Sequence, residues 1–286
     1  MLERDIRLGN GLVIGDKQPV FCAELDLGDS DFSTQTVADP LSGYNRFGRD
    51  VPTRSDATFT FYSNRTNQAE AKESLRKVMS WWASASKMKP GAYTKLTVML
   101  GGEERTIYGR PRKYNVTTDK LSRRGVTKVV ASFERQDSLF YAPEDELELK
   151  LYEAPRGGFR FPARFPVSTG YVAGTRQGIT LNEDATAPSP FTARFYGPCR
   201  NPSLEVGGKK LQLNISIPYD RYVIVDTREQ SVKWNNGANI TGALSQSSRL
   251  SQMRVPVGKS EVTYKAIDET QTTRCVLRWA PARDSL

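Results

Sequence analysis

Short strand-like stretches separated by turn residues fill the last third of the chain, and they constrain the fold more than any other feature. Stretches such as Tyr222–Thr227 are rich in the β-branched and aromatic residues that favour strands. Pairs such as Gly207-Gly208 and Asn236-Gly237 separate them, and these dipeptides are typical of tight turns. Strands of this length and spacing predict an antiparallel β-sandwich.

The chain has 286 residues and no histidine. The missing histidine excludes the Ser-His-Asp and Cys-His nucleophile systems, the HExxH zinc site and the commonest general base. Carboxylate or lysine chemistry stays open. We nevertheless expect a protein that is not an enzyme, with no catalytic residue, no cofactor and no metal.

Three cysteines, Cys22, Cys199 and Cys275, lie far apart in the sequence, and none forms a CxxC pair. This spacing predicts reduced, packed thiols, although a Cys199–Cys275 disulfide within one sandwich remains an alternative. No run of 18 apolar residues and no apolar segment near Met1 is found. We therefore expect neither a membrane span nor a secretory signal.

The length suits two domains, and the Pro- and Glu-containing stretch after Tyr141 marks the predicted boundary. We place a first domain at residues 1–142 and a second at residues 143–286. The first is predicted to hold an N-terminal hairpin, a loop-rich stretch from 26 to 57, one helix at about 67–88 and a three-strand meander over 92–140. Pro111 predicts an edge or a bulge in the second strand of that meander.

The helix is predicted from apolar residues at i, i+3, i+4 and i+7, namely Leu75, Val78, Met79 and Trp82. Thr66 or Asn67 are candidate caps, and Glu70 follows Asn67 as in a capping box. Trp82 lies on the buried face. Trp81 points about 100° away, which suits either a second packing contact or a contact between subunits.

The net charge is +9, and its densest cluster lies on the meander. The residues that form it are Arg105, Arg110, Arg112, Lys113, Lys120, Arg123, Arg124 and Lys128, with Tyr108 and Tyr114 among them. Successive strand residues face opposite sides, so these cations do not share one surface. Solvated or inter-subunit salt-bridging roles are favoured over the alternative of phosphate and base contacts with nucleic acid.

Acidic residues cluster earlier in the chain, at Glu24, Asp26, Asp29 and Asp31. Carboxylates of this kind bind calcium, but the EF-hand spacing with its twelfth-position Glu is missing. A solvated acidic loop is favoured. It is also a candidate complement for the basic cluster of a neighbouring subunit.

Several stretches, taken in order, resemble the distal tail protein family of long-tailed, non-contractile bacteriophages. They are Tyr108–Lys113, Val129–Tyr141, Tyr196–Pro202, Val225–Thr227, Val257-Gly258 and Cys275–Trp279. The resemblance implies an N-terminal split β-barrel with one α-helix and a C-terminal galectin-like sandwich, hence a mainly β fold. Residues 26–54 have no assigned role.

The resemblance also implies a structural virion protein of the tail tip, assembled in the bacterial host cytoplasm. It implies a homohexameric ring that joins the tail tube protein to the tail hub or spike protein. The ring surrounds the tape measure protein and later DNA as passing cargo, and it contacts no membrane. In this arrangement Trp81, Arg110, Arg112, Arg123 and Arg124 are our candidate interface residues.

A carbohydrate-binding module that contacts the host surface through the sandwich is the alternative function. Galectin-like sandwiches include lectins, and Trp234 or Trp279 would stack on sugar rings. Trp234 precedes a turn and is open to a ligand, whereas core packing is favoured for Trp279.

Overall fold

The computed structural model describes residues 5–28, 31–38, 43–48, 50–53, 56–63, 68–117, 126–151, 173–268 and 272–284. The chain divides into two compact units, which are described separately below. The first comprises Met1–Pro143 with Asp284–Leu286, and the second comprises Glu144–Arg283. No helix in the described ranges has the length and apolar character needed to cross a bilayer.

The first unit contains twelve strands and one α-helix in its described part. The strands are β1 (Ile6–Leu8), β2 (Val13–Ile14), β3 (Val20–Asp26), β4 (Asp31–Ser33), β5 (Thr36–Ala38), β6 (Asn45–Phe47), β7 (Val51–Thr53), β8 (Ala57–Ser63), β9 (Thr94–Leu100), β10 (Glu103–Thr117), β11 (Lys128–Arg135) and β12 (Phe140–Tyr141). The helix is α1 (Gln68–Ala83), and a 3-10 helix, Ser84–Lys87, follows it.

Seven strands of this unit form one antiparallel sheet in the order β2-β1-β9-β10-β11-β8-β3, and β12 pairs with β10. The two end strands approach each other where the Gly15 amide donates a hydrogen bond to the Val20 carbonyl, at 3.0 Å. The sheet therefore curls until its ends meet. Its alternating buried residues and the helix enclose one apolar core.

The helix occupies the predicted stretch and packs by the predicted face. Trp82 is buried, lies edge-on to Phe59 and Phe61 with ring centroids 6.0 and 5.5 Å away, and donates its indole N–H to the Ser132 carbonyl at 2.9 Å. The predicted caps, Thr66 and Asn67, lie outside the described residues.

The meander is confirmed, and β9, β10 and β11 pair consecutively. Gly101 and Gly102 connect β9 to β10 with φ of 58° and 79°, as a two-residue hairpin turn of this kind requires. Strand β10 pairs with β9 only as far as Gly109 opposite Thr94, and with β11 from Gly109 onward. The ladder shifts register between Pro111 and Tyr114. Pro111 therefore lies at a bulge, next to the part of β10 that no longer pairs with β9.

Residues 31–53, which we call the arm, were predicted as loop but contain four strands. The pairs are nested: β3 pairs with β8, then β4 with β7, then β5 with β6. The arm is thus one long hairpin that extends the β3–β8 pair. Strands of three residues are too short to show the alternation of apolar and polar residues that identifies a strand. The turn residues around them therefore led to the prediction of a loop.

The second unit contains eleven strands in its described part. They are β13 (Asp145–Lys150), β14 (Ala173–Asn182), β15 (Phe191–Tyr196), β16 (Cys199–Val206), β17 (Lys209–Gln212), β18 (Ser216–Ile217), β19 (Tyr222–Asp226), β20 (Ser231–Trp234), β21 (Gly258–Ile267), β22 (Arg274–Trp279) and β23 (Ala282–Arg283). One sheet has the order β13-β22-β15-β19-β20, and the other has β14-β21-β16-β17 with β18 beside β16.

The two sheets of the second unit enclose a single apolar core, so the predicted sandwich is confirmed. Alternate residues of β15, including Phe195, meet residues of the opposite sheet such as Tyr264, with ring centroids 6.0 Å apart. The Gly207-Gly208 turn joins β16 to β17 as predicted, with φ of 56° and 75°. The fold class of the chain is mainly β, with one α-helix in the described residues.

Thr227 fastens the end of β19 to β15 inside the sandwich. Its fully buried hydroxyl accepts a hydrogen bond from the Phe191 amide at 2.8 Å and donates one to the Phe191 carbonyl at 2.9 Å. We expect Thr227→Val to lower the free energy of unfolding by about 1–3 kcal/mol, because the buried amide loses its acceptor. Urea unfolding measures this. Thr192→Val, on the outward face of β15, is the control and should change little.

Candidate interaction surfaces

The described arginines of the predicted basic cluster make contacts within the first unit. Arg105 is buried and pairs with Glu103, and Arg7 pairs with Glu104 at 2.9 Å. Strand alternation distributes the cations over both faces, as expected. The cluster is therefore not one basic surface.

Arg110 holds the turn that follows the helix. Its guanidinium donates hydrogen bonds to the carbonyls of Ala92 and Lys89. Two backbone carbonyls around Pro90-Gly91 are thereby satisfied by one side chain. The contacts seen for Arg110, predicted at the subunit interface, are therefore internal ones.

Arg112 and Glu134 form an ion pair across β10 and β11, with both side chains about half exposed. Next to them the Lys113 amide donates to the Ser132 hydroxyl at 3.1 Å. This contact lies at the bulge, where regular backbone pairing with β11 is interrupted. Arg112 lies on the surface, which is compatible with its predicted interface role.

Arg123 and Arg124, the other predicted interface cations, lie outside the described residues, as does Lys120. Lys128 lies within them, at the start of β11, and its ammonium is 6.0 Å from the Tyr62 ring centroid.

Open concavities surround the bulge in β10. One of about 560 Å³ is lined by residues of β8, β10 and β11, among them Tyr114 and Val130. Another of about 510 Å³ is lined by Lys113, Glu134 and residues of the 3-10 helix that follows α1, including Ser86. Both are bordered by Arg112. This part of the unit is concave and bears basic and apolar side chains together.

Trp81 belongs to the core of the first unit. It is 7% exposed, stacks on Phe133 at 6.3 Å between ring centroids, and meets Trp82 edge-on at 4.9 Å. Of the two roles considered for it, the structure supports packing. A buried indole offers a partner very little surface.

The acidic group does not converge on a cation site among the described residues, where no cluster of three or more candidate ligands occurs. The Asp26 carboxylate accepts a hydrogen bond from the Gly28 amide at 2.9 Å and so shapes the turn that leads into the arm. Asp29 and the side chain of Asp31 lie outside the described residues. Glu24 lies in β3.

The two tryptophans considered for sugar stacking both contact the sandwich core. Trp279 is 5% exposed and buried, as favoured from the sequence. Trp234 is partly buried against the core, and the Arg221 guanidinium lies 5.8 Å from its ring centroid. Glycan binding at Trp234 stays a prediction without a structural observation in its favour.

All three cysteines are free, buried thiols. Burial raises the pKa of the Cys199 and Cys275 thiols above the usual range, which favours the unreactive protonated form. The alternative of a Cys199–Cys275 disulfide is not what the structure contains.

Two features of the first unit were not predicted from the sequence. One is the arm, whose described residues from 33 to 38 and from 43 to 48 are all exposed. The other is Arg135, which is 2% exposed. The arm carries large apolar side chains at its surface, a signal that appears only once burial is known.

Solved phage structures share this fold over nearly the whole chain. The Dit (gp 19.1) protein of phage SPP1, described as a paradigm of the hub adsorption apparatus in phages that infect Gram-positive bacteria, has a TM-score of 0.58 at 14% identity. That match covers 96% of this chain and 97% of the SPP1 chain.

A chain of the phage P2 baseplate in its activated conformation with Ca has a TM-score of 0.59 at 10% identity, covering 95% of this chain and 100% of its own. A chain of the phage p2 baseplate with Sr has a TM-score of 0.62 at 10% identity and covers 99% of each chain. No family model matches the sequence, and no curated protein matches it. The predicted resemblance to distal tail proteins is thus confirmed for the fold: the chain has the two-unit fold of the SPP1 Dit protein and of a P2 baseplate chain.

Proposed function

We propose that this chain is a structural component of a phage tail tip. The observation that supports the proposal most is the extent of the fold match, which includes both units and almost all of each compared chain. A match confined to the sandwich would point to any of many sandwich proteins. The combination of a helix-containing barrel and a sandwich in one chain is far more restrictive.

In the finer form of the proposal, six copies form a ring that joins the tail tube protein to the tail hub or spike protein. The ring encloses the tape measure protein and later the passing DNA, and it needs no membrane contact. Residues 1–142 would close the ring, and residues 143–286 would project as docking platforms. The protein would be assembled in the cytoplasm of the bacterial host and act at the virion tail tip, without catalysis.

The chemistry of the described residues suits a mechanical role. The chain has no histidine, which removes the commonest general base. Its three cysteines are buried, and burial raises the pKa of the Cys199 and Cys275 thiols, which favours their unreactive protonated form. These features favour the non-enzymatic form of the proposal.

We expect the purified 286-residue chain to have the mass of six 32.0 kDa chains in light scattering. Negative-stain electron microscopy of the same sample should then show rings with a central opening. A protein that stays at 32.0 kDa up to its highest soluble concentration would contradict a self-assembling ring. Binding to a glycan array by such a monomer would instead favour the carbohydrate-binding alternative.

A further inference from the structure

The sheet β13-β22-β15-β19-β20 of the second unit carries, on its outward face, an arginine without a counterion. Arg194 alternates along β15 with Ala193 and Phe195, which are buried in the core, so Arg194 points away from the core. Its Nε–H is buried and has no hydrogen-bond partner in the described ranges. Its guanidinium also forms no ion pair with the residues that the structure describes. The positive charge of Arg194 is therefore not neutralised by a neighbour.

Apolar residues flank Arg194 on both neighbouring strands. Val276 lies opposite it on β22, and Ile224 lies opposite it on β19. Val276 is outside the core cluster and is nevertheless only 7% exposed, so side chains of the outward face cover it. An arginine stem packs on apolar neighbours of this kind while its charged end stays at the surface. An anion that meets the guanidinium there is attracted more strongly than it would be in bulk water.

The carboxylates of the same face are engaged with other donors. Glu148 pairs with Arg274 at 3.0 Å, and Glu146 pairs with Arg278. Asp226, on β19, accepts hydrogen bonds from two amides of the turn that follows it, at 2.8 and 2.9 Å. An anionic group that pairs with the remaining guanidinium would therefore come from another molecule.

The side chains nearest to Arg194 on this face bear hydroxyl groups. Thr192 and Tyr196 flank it along β15, and Tyr222 lies opposite Tyr196 on β19. The two tyrosine rings are tilted against each other, with their centroids 5.2 Å apart. Hydroxyl groups both donate and accept hydrogen bonds, and a tyrosine combines an apolar ring with a polar end. This combination suits a sugar, which has C–H faces and hydroxyl edges.

The same face lacks the exposed apolar side chains that a protein partner would cover. The centres of protein interfaces are apolar patches. The strongly exposed large apolar residues in the described part of the second unit are Ile179, Leu181, Tyr219 and Val257. They belong to β14 and to loops, and none lies on a strand of this sheet. The face around Arg194 therefore suits a hydrophilic ligand better than a protein.

We propose that Arg194 is the centre of a binding site for an acidic saccharide, a sugar that bears a carboxylate or a phosphate. The guanidinium donates hydrogen bonds to the anionic group, and the hydroxyls of Thr192 and Tyr222 bond to hydroxyls of the sugar. Trp234 is not part of the site, because it lies opposite Val223 and packs against the core. The site belongs to the second unit alone, so it adds ligand binding to the structural role and does not depend on the ring.

Isothermal titration calorimetry of the 286-residue chain tests the chemistry of the ligand. Glucuronate and glucose 6-phosphate combine a sugar with an anion, glucose supplies the sugar alone, and inorganic phosphate supplies the anion alone. Tetraglutamate presents carboxylates on a peptide. We expect at least one acidic sugar to bind about tenfold more tightly than glucose, inorganic phosphate and tetraglutamate, because only the acidic sugars use both parts of the site. The tighter of the two identifies the anionic group.

Three variants test the role of Arg194. Arg194→Gln should weaken the binding of the acidic sugar by about tenfold or more, because its charged donors are lost. Arg278→Gln is the matched control, since it makes the same chemical change on the same face at a guanidinium that Glu146 already pairs, and it should weaken binding far less. Arg194→Lys keeps the charge and loses the planar donors, so its affinity should be intermediate. Circular dichroism should show all three folded, because both arginines are partly exposed.

The outcomes separate the site from its alternatives. Equal losses of affinity in Arg194→Gln and Arg278→Gln would overturn the site, because a general positive potential would then account for binding. Tetraglutamate that binds as tightly as the acidic sugars would overturn the saccharide and indicate an acidic protein segment. Acidic sugars that bind no more tightly than glucose or inorganic phosphate would also overturn the proposal. The ring is tested separately, by the mass in light scattering.

Discussion

Gly109→Ala is expected to lower the stability of the first unit by about 3 kcal/mol, at the upper end of the usual cost of overpacking. A Cβ atom at this position would lie 2.0 Å from the Glu134 carbonyl oxygen and 2.7 Å from the Phe133 ring. The backbone cannot easily retreat, because Gly109 pairs with Arg135 on one side and with Thr94 on the other. Gly109 is the residue at which β10 loses its partner β9.

Hydrogen exchange measured by mass spectrometry is the appropriate readout, because a chain with two units need not unfold in one step. Amides of β9, β10 and β11 should exchange much faster in Gly109→Ala, and those of the sandwich should not change. Gly242→Ala is the control, since a Cβ there has no atom within 4 Å and Gly242 has no positive φ. Wild-type exchange in both variants would show that β10 and β11 separate without cost.

The sequence predicted the features that depend on residues close to one another along the chain. The glycine pairs at 101–102 and 207–208 predicted two hairpin turns, because φ above zero is a local requirement that glycine meets. The apolar periodicity of residues 75–82 predicted the buried face of the helix. The three-strand meander followed from such signals, since its strands are consecutive in the chain.

Features that depend on distant partners were not predictable in the same way. Periodicity placed Trp81 off the main apolar face of the helix, and only the contact with Phe133, on strand β11, shows that Trp81 is buried. Arg110 was read as a surface cation, whereas its partners are carbonyls about twenty residues earlier. The arm was missed because its pairing is between strands too short to show a period.

Arg135 is the clearest case of a residue whose partners are distant in the sequence. Its replacement is the second change that we expect to lower stability strongly. The guanidinium donates hydrogen bonds to the carbonyls of Leu27, at 3.0 Å, and Leu139, at 3.3 Å. It also lies 4.3 Å from the centroid of the Phe140 ring. One buried cation thus fastens the end of β3 and the segment before β12 to β11.

Burial lowers the pKa of Arg135, and the nearby Asp137 carboxylate opposes that shift. A guanidinium stays protonated in proteins nonetheless, so the buried group is a charge stabilised by carbonyl dipoles and an aromatic face. Arg135→Met keeps much of the side-chain volume and removes every donor. We expect it to lower the free energy of unfolding of the first unit by about 2–3 kcal/mol, because two carbonyls lose charged donors.

The matched control is Arg112→Met, which makes the same chemical change within the bulge of β10. Arg112 and its partner Glu134 are about half exposed, and an exposed pair of this kind contributes at most about 1 kcal/mol. Hydrogen exchange near Leu27 and Leu139 should therefore accelerate strongly in Arg135→Met and little in Arg112→Met. Equal effects in the two variants would mean that water replaces the Arg135 donors, and that the buried cation does not fasten the barrel.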